Sequence, residues 1–567
     1  MDLAGHMSKS RFKALGILLF LLSASAVHTE PLPGVVTVQV RFDHPQQPFL
    51  PVWNYFGYDE PNYTYASNGR KLLGEIGGLS SQPAHVRVHN LFTSGDGSAS
   101  LKWGSTNVYT EDAAGNPVYD WKTVDRIFDT FHQAGVRPLV ELGFMPEALS
   151  THPEPYRHSF PNGSIFTGWA YPPKDYQKWG ELVFQFVRHL RQRYGDAEVK
   201  TWPWEVWNEP DIDYWKGTHE EFFKLYDYST DAVLRALPGA TIGGPDATGI
   251  SERSAQFLTE FLTHCDTGHN YATGKQGAPL DFISFHPKGS PKWLGDHVQM
   301  GISAQLQAAE RGFKIVGASP KWRNTPVILG EWDPEGCGAC SAQKNLQNGY
   351  RNGALYASYT AEALSHTLAL AEREHVNLTG IVTWAFEFED QPYFAGFREL
   401  ATNGLDKPVL NAFRMFGMMG NQRVEAISSG ALETELVLRE GVRAQPEINA
   451  IATRKAREIE LLVWNYHDDD LPADAASIEL TISGLPKGVA RGLLEHFRID
   501  SSHSNVFTAW KESGSPQSPT DDQYKQLESA RQLQLLDSPK RISIDHGTVQ
   551  LQFALPRQGL SLLRIGW

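Results

Sequence analysis

The sequence predicts an α/β fold, a (β/α)8 TIM barrel joined to an accessory antiparallel β-sandwich. Three observations lead there. From Trp53 to about Gly380 a short β-rich run, a polar or Gly-rich loop and a helical pattern alternate eight times. After about Gly420 the helical patterns give way to short alternating strands separated by turn residues. At 567 residues the chain exceeds one ordinary core and calls for more than one domain.

The eight runs are VWNYFGYD (52–59), HVRVHNLF (85–92), RPLVELGF (137–144), WEVWNE (204–209), TIGGPD (241–246), DFISFH (281–286), TPVILGEW (325–332) and GIVTWAFEF (380–388). Segments 120–135, 173–195 and 218–239 lie between them, carry apolar residues at three-to-four spacing and close on Gly. That is the signature of a helix with a C-terminal glycine cap. An open doubly wound sheet would begin with a Gly-rich phosphate turn, and none is seen. The barrel is assigned to 52–419 and the sandwich to 420–567. An early strand, GVVTVQVRF (34–42), precedes the barrel, so residues 27–51 are expected to join the C-terminal sandwich. Residues 511–541, polar and rich in Ser and Pro, read as a long loop with room for a helix.

Residues 1–26 read as a secretory signal: a basic start (Lys9, Arg11, Lys13), an apolar run from Ala14 to Leu22, and the small residues Ala24-Ser25-Ala26. The apolar run is too short to span a bilayer, which takes roughly 20 residues. The expectation is export to the periplasm or the medium, with no membrane attachment once the signal is removed. Net charge is −14 with scattered Lys and Arg, which argues against nucleic acid. The 16 Trp and 20 Tyr supply flat apolar surface, which serves cores and sugar-binding clefts alike. Three cysteines exclude a disulfide framework. Cys337 and Cys340 fit a small-loop disulfide, since the C-x2-C half of a zinc knuckle has no second pair here, and Cys265 reads as a buried free thiol.

In a barrel of this kind chemistry sits at the C-terminal strand ends. Glu209 and Glu331 finish the fourth and seventh strands, 122 residues apart. A carboxyl pair roughly 5 Å apart supports glycoside hydrolysis with retention, and a wider pair supports inversion. Spacing in sequence leaves that choice open.

WNEP (207–210), with HVRVHNLF, LDFISFHPKG and VILGEWDPEG, resembles the signature of glycoside hydrolase family 39 in clan A, the β-xylosidases and α-L-iduronidases. WAFEFEDQPYFAGF (384–397) and EHFRIDSSHSNVF (495–507) extend the resemblance over nearly the whole chain. It implies a retaining exo-glycosidase with Glu209 as acid/base and Glu331 as nucleophile, on an oligosaccharide or glycoside substrate and without cofactor or metal. Asn208 would donate to a sugar 2-hydroxyl, a contact that strengthens in the transition state. Trp204 and Trp207 would keep the acid dry and its pKa raised. His89 matches a sugar-binding histidine, Arg87 a partner of a catalytic carboxylate, and His286 ends the sixth strand. Glu389, with Asp390 and Glu387 as rivals, matches a sugar-binding acid, and Phe144, Trp384 and Phe394 are candidate pocket walls. Lys288 and Arg398 are the cations that a uronate would need. The expected substrate is a neutral pentoside, β-D-xyloside first. α-L-Arabinofuranosides and α-L-iduronides are the alternatives, and a non-catalytic carbohydrate-binding protein is the reading from another class.

Overall fold

The computed structural model describes residues 34–159, 164–249 and 251–567. Residues 1–26, read above as a secretory signal, lie outside them. Among the described residues no helix is long and apolar enough to cross a membrane.

Eight parallel strands close into a barrel: β1 (Tyr55–Tyr58), β2 (His85–Val88), β3 (Arg137–Leu142), β4 (Pro203–Val206), β5 (Thr241–Ala247), β6 (Phe282–Phe285), β7 (Val327–Leu329) and β8 (Leu378–Thr383). Closure is made where Val382 and Thr383 of β8 pair with Tyr55 and Phe56 of β1. These strands read as nearly continuous apolar runs because both faces are buried, one by the barrel interior and one by helices. Leu139, Phe282, Ile328, Val382 and Trp384 fill the interior. Gly57 makes room there: a Cβ at that position would lie 2.3 Å from the Trp384 ring. The helices end where sequence chemistry ends them. Asp175 caps Tyr176–Tyr194 by accepting from the Gln177 and Lys178 amides, and Thr218 and Glu221 form a reciprocal cap on His219–Ala236. Gly135 closes Lys122–Ala134 in the left-handed conformation, φ 71°.

The accessory domain is a ten-stranded sheet built from both ends of the chain. Strand Val36–Pro48 lies between Gln422–Ser428 and Ala476–Ser483. Its burial alternates, with Val38, Val40 and Phe42 inward and Thr37, Gln39 and Arg41 outward. Strands from the two halves of the sheet contribute to one apolar core, including Val38, Leu461, Ile478, Leu494 and Leu555, so the sheet curls over its own inner face. The sheet is mixed rather than wholly antiparallel, because Val36–Arg41 runs parallel to Ile478–Ser483. A strand arriving from the far end of the chain needs no hairpin, so nothing forces it to run antiparallel.

Residues 511–541 are more ordered than a loop. Helix Val506–Glu512 and helix Asp521–Ala530 pack Val506, Trp510 and Leu527 around Phe394 and Leu405. Barrel and sheet domain share one continuous core, in which Leu462, Trp464, Leu560 and Leu562 of the sheet join the barrel helices. Cys337 and Cys340 are disulfide-bonded and Cys265 is a buried free thiol.

The alternation of Val36–Pro48 yields a paired test. Val38→Asp would bury an unpaired carboxylate and lower the thermal midpoint clearly, at a cost of about 3 kcal/mol or more. Gln39→Asp, one residue away on the outer face, should stay within about 0.5 kcal/mol of the parent in the same thermal melt.

Candidate functional site

The site is assembled at the C-terminal ends of the barrel strands. After β4 the chain turns sharply through Trp207, Asn208 and Glu209. Trp207 and Glu209 both hold left-handed backbone, φ 71° and 46°, a conformation that costs of order 1–3 kcal/mol for residues other than Gly. It persists because its surroundings fix it. The Trp207 amide donates to Leu142 O and its indole to Tyr214 O, while the Glu209 amide donates to Asp246 O. The consequence is that Asn208 and Glu209 project into the barrel mouth, where a regular strand would have sent them to opposite faces.

Glu331 arrives on β7 next to Gly330. A Cβ on Gly330 would lie 2.0 Å from an Asp246 oxygen, so only glycine lets β7 approach β5 this closely. One carboxylate oxygen of Glu209, one of Glu331 and a ring nitrogen of His286 all lie within 4.8 Å of one another. His286 Nδ1 is 2.8 Å from Glu209 and 3.9 Å from Glu331, and its Nε2 is 3.1 Å from Asp246. Burial would discharge this imidazole, but Asp246 and Glu331 hold its pKa up to about 10, so it is a cation between the two glutamates.

The two carboxyl groups are pushed apart. Burial raises Glu209 above its ordinary range, against the pull of His286. Burial would also raise Glu331, but Lys288, His286 and His89 overcome it and hold the group at about 2. Lys288 Nζ donates to Glu331 Oε2 at 2.7 Å and to Asp333 at 3.0 Å. A carboxyl of raised proton affinity beside one of lowered affinity is the division of labour that acid-assisted nucleophilic cleavage requires.

Beneath the pair lies Arg87, with no solvent exposure. Its guanidinium bonds Glu205 at 2.6 Å, Glu141 at 2.9 Å and Asp246, and reaches Glu331 at 3.8 Å. It also donates to Asn208 Oδ1 at 3.1 Å, which leaves the Asn208 amide N–H groups free to face the mouth. Arg87 therefore acts on the carboxylates from below and does not reach substrate. His89 sits between Asp59 (2.9 Å) and Glu331 (3.6 Å). Burial lowers its pKa to about 4, leaving it neutral. Trp384 and Phe144 flank the His89 ring at 4.4 and 5.8 Å between centroids, and Phe144 stacks on Tyr214. Both rings are buried around His89.

Other expected residues fall elsewhere. Phe394 is a packing residue against Phe507 and Trp510. Glu389 lies with Asp390 and Gln391 beside Tyr63 and Leu101, in a surface pocket of its own. Its rival Glu387 is buried and accepts the Gly404 amide at 2.5 Å. Trp204 faces Phe186 in the helix layer, because strand alternation turns Glu205 inward instead. Trp207 does back the pocket, edge-on to Phe144 at 5.1 Å. Trp332, next to the nucleophile candidate, donates to Thr367 on helix Ala354–Arg373. Arg398 is fully buried, donates to Trp384 O and Glu335, and faces Asp333 at 3.6 Å through Nη2.

The sequence reading missed Glu141, Glu205, Asp246 and Asp59. The first two were visible as acids inside apolar runs, LVEL and WEVW, where alternation turns them inward. Lys102 was not visible. It comes from the loop after β2, is buried, and bonds Asp59 at 2.6 Å. That loop meets the loop after β3 where Trp103 contacts Trp169, 6.2 Å between centroids.

The charge layout fixes a pH signature. Glu331 must be ionised, and Lys288 is the leading cation keeping it so. Lys288→Met should raise the Glu331 pKa and shift the acid limb of kcat/KM to higher pH by at least about one unit, because the ionised form is then lost at a higher pH. A pH–rate profile of the variant against the parent checks this; an unmoved acid limb would remove Lys288 from that role.

Comparison with known proteins places this geometry. A model described as Glycosyl hydrolases family 39 matches residues 37–545. A β-xylosidase of Caldicellulosiruptor saccharolyticus is 29% identical over 427 residues, covering 73% of this chain and 77% of that protein. An α-L-iduronidase of Mus musculus is 22% identical over 566 residues, covering 93% of this chain and 80% of that protein. The crystal structure of a monomeric β-xylosidase from Caulobacter crescentus CB15 matches with a TM-score of 0.73 at 20% identity, over 94% of this chain and 99% of that one, which speaks for the fold. With the family matched across most of its length, and a carboxyl pair at the barrel mouth, the chain belongs to glycosyl hydrolase family 39 and is a glycoside hydrolase.

Proposed function

We propose that this protein is a retaining exo-glycosidase that releases a neutral pentosyl residue, β-D-xylose foremost, from the non-reducing end of xylosides or xylo-oligosaccharides. The observation that carries the proposal is the carboxyl pair: oxygens of Glu209 and Glu331 within 4.8 Å, with their proton affinities driven in opposite directions. That separation suits direct attack and is shorter than the roughly 6.5–9.5 Å typical of an inverting pair.

In the first step Glu331 attacks the anomeric carbon while Glu209 gives its proton to the departing oxygen. A glycosyl ester on Glu331 results. In the second step Glu209, now a carboxylate, takes a proton from water as that water attacks the same carbon, and Glu331 leaves. His286 favours the ionised form of Glu209 through its hydrogen bond, which eases the change from acid to base. The Asn208 amide, oriented by Arg87, is placed to bind the sugar 2-hydroxyl. Contact between the two long loops supports a closed pocket and hence exo action.

The way the cations are used supports a neutral glycone. Arg398 is buried and already bonded, and Lys288 is shared between Glu331 and Asp333. A second reading, an α-L-iduronide-type substrate, rests on the remaining Lys288 donor, since that side chain keeps 14% of its exposure.

A matched panel of aryl glycosides decides between them: fastest release from β-D-xyloside supports the pentoside reading, and preference for α-L-iduronide supports the other. The anomeric configuration of the first product, followed by NMR, should match that of the substrate, and inversion would refute the mechanism. Glu331→Ala should abolish turnover of every substrate. Glu209→Ala should lose about 10²–10⁴-fold on poor leaving groups and much less on dinitrophenyl glycosides, which need no acid.

A further inference from the structure

We propose that Glu362, His366 and Glu447 form a site for a divalent transition-metal ion of the zinc type, bridging the barrel to the sheet domain. The site is distinct from the catalytic face. Glu362 and His366 lie one turn apart on helix Ala354–Arg373, which packs against the sheet, and Glu447 begins strand Glu447–Lys455. All three side chains are essentially excluded from solvent.

The geometry is that of a chelating set. His366 Nε2 is 3.0 Å from Glu447 Oε2 and 3.3 Å from Glu362 Oε1, and the three ligand atoms all lie within 4.8 Å of one another. Ligands about 2.0–2.1 Å from a tetrahedral zinc stand about 3.3 Å apart, so an ion fits among these atoms with small adjustments.

Each ligand is also held from behind. Trp464 Nε1 donates to Glu362 Oε2 at 2.5 Å, Asn449 Nδ2 donates to Glu447 Oε1 at 2.7 Å, and His366 Nδ1 meets Thr434 Oγ1 at 3.0 Å. The outer atom of every ligand is occupied and the inner atom of every ligand converges. That is the outer-shell arrangement that orients metal ligands. The inner oxygen of Glu362, in a side chain with no exposure, has only the 3.3 Å approach of His366 Nε2 and no well-formed hydrogen bond. A buried carboxylate oxygen without a donor is costly, and a cation at the centre would satisfy it.

Charge balance agrees. Two carboxylates and a neutral imidazole neutralise one divalent ion. A nitrogen and oxygen donor set suits zinc, cobalt or nickel better than calcium or magnesium.

The test uses the full chain, stripped with a chelator, given zinc chloride and passed through gel filtration. About one equivalent of zinc should stay bound, and the unfolding midpoint should rise by several degrees. Glu447→Gln and His366→Gln, each checked for native circular dichroism, should retain none of that equivalent and show no zinc-dependent shift. Zinc held equally by the parent and both variants would place it at Glu209, His286 and Glu331 and overturn the proposal; so would a parent that retains none, which would mark the triad as held by protons alone. Should the variants fail to fold, anomalous diffraction at the zinc edge from soaked parent crystals decides, with a peak expected among the three side chains and its absence refuting the site.

Discussion

One buried guanidinium sets the conditions for the rest of the catalytic face. Arg87 touches Glu141, Glu205 and Asp246 and reaches toward Glu331, all where water does not enter. A buried charge of this kind is tolerable only if it is matched and hydrogen-bonded. The match is selective. Burial, and the nearness of Asp246, pushes Glu205 up to about 8, and burial raises Glu141 as well, so both favour their neutral forms near pH 7. Asp246 is held well below the carboxylate range by Arg87 and His286, against burial. Arg87 and His286 thus face Asp246 and Glu331 as two cations and two anions, and of the two neutral acids Glu205 accepts from Arg87 and Ser284.

The same cluster explains the backbone. Asp246 accepts the Glu209 amide through its carbonyl and ion-pairs with Arg87 and His286 through its carboxylate. It thereby ties together the ends of β4, β5 and β6. The left-handed turns at Trp207 and Glu209 are unfavourable locally and are sustained by these long-range bonds. Gly330 completes the arrangement, since any side chain there would displace Asp246. Catalytic geometry in this fold is therefore a property of neighbouring strands rather than of any one motif.

The accessory sheet is part of this stiffness. Its inner residues merge with the barrel helices in one core, and its N-terminal strand is taken from the far end of the chain. Helix Ala354–Arg373 faces both ways: Thr367 accepts the Trp332 indole beside the nucleophile candidate, while Glu362 accepts the Trp464 indole of the sheet. The helix thus links the wall behind β7 to the accessory domain.

The barrel, the sheet built from both ends, and the positions of Glu209, Glu331, His89 and His286 were legible in the sequence. Period-two and helical patterns report burial directly, and the strand-end motif fixes which residues reach the mouth. Other features needed the fold. Phe394 and Trp204 have the same composition as pocket walls but point into packing layers, and composition carries no direction. Glu389 lines a pocket with Tyr63 and Leu101 from two other loops, a neighbourhood that no periodicity marks. Lys102 and the Glu362, His366 and Glu447 triad bring together side chains from segments far apart in the chain. The sequence alone determined the strands, the helices and the chemical types at the strand ends, because those follow from local periodicity and side-chain chemistry. Only the tertiary structure decided which carboxyl has the higher proton affinity, because that depends on burial and on charges brought close by chain closure.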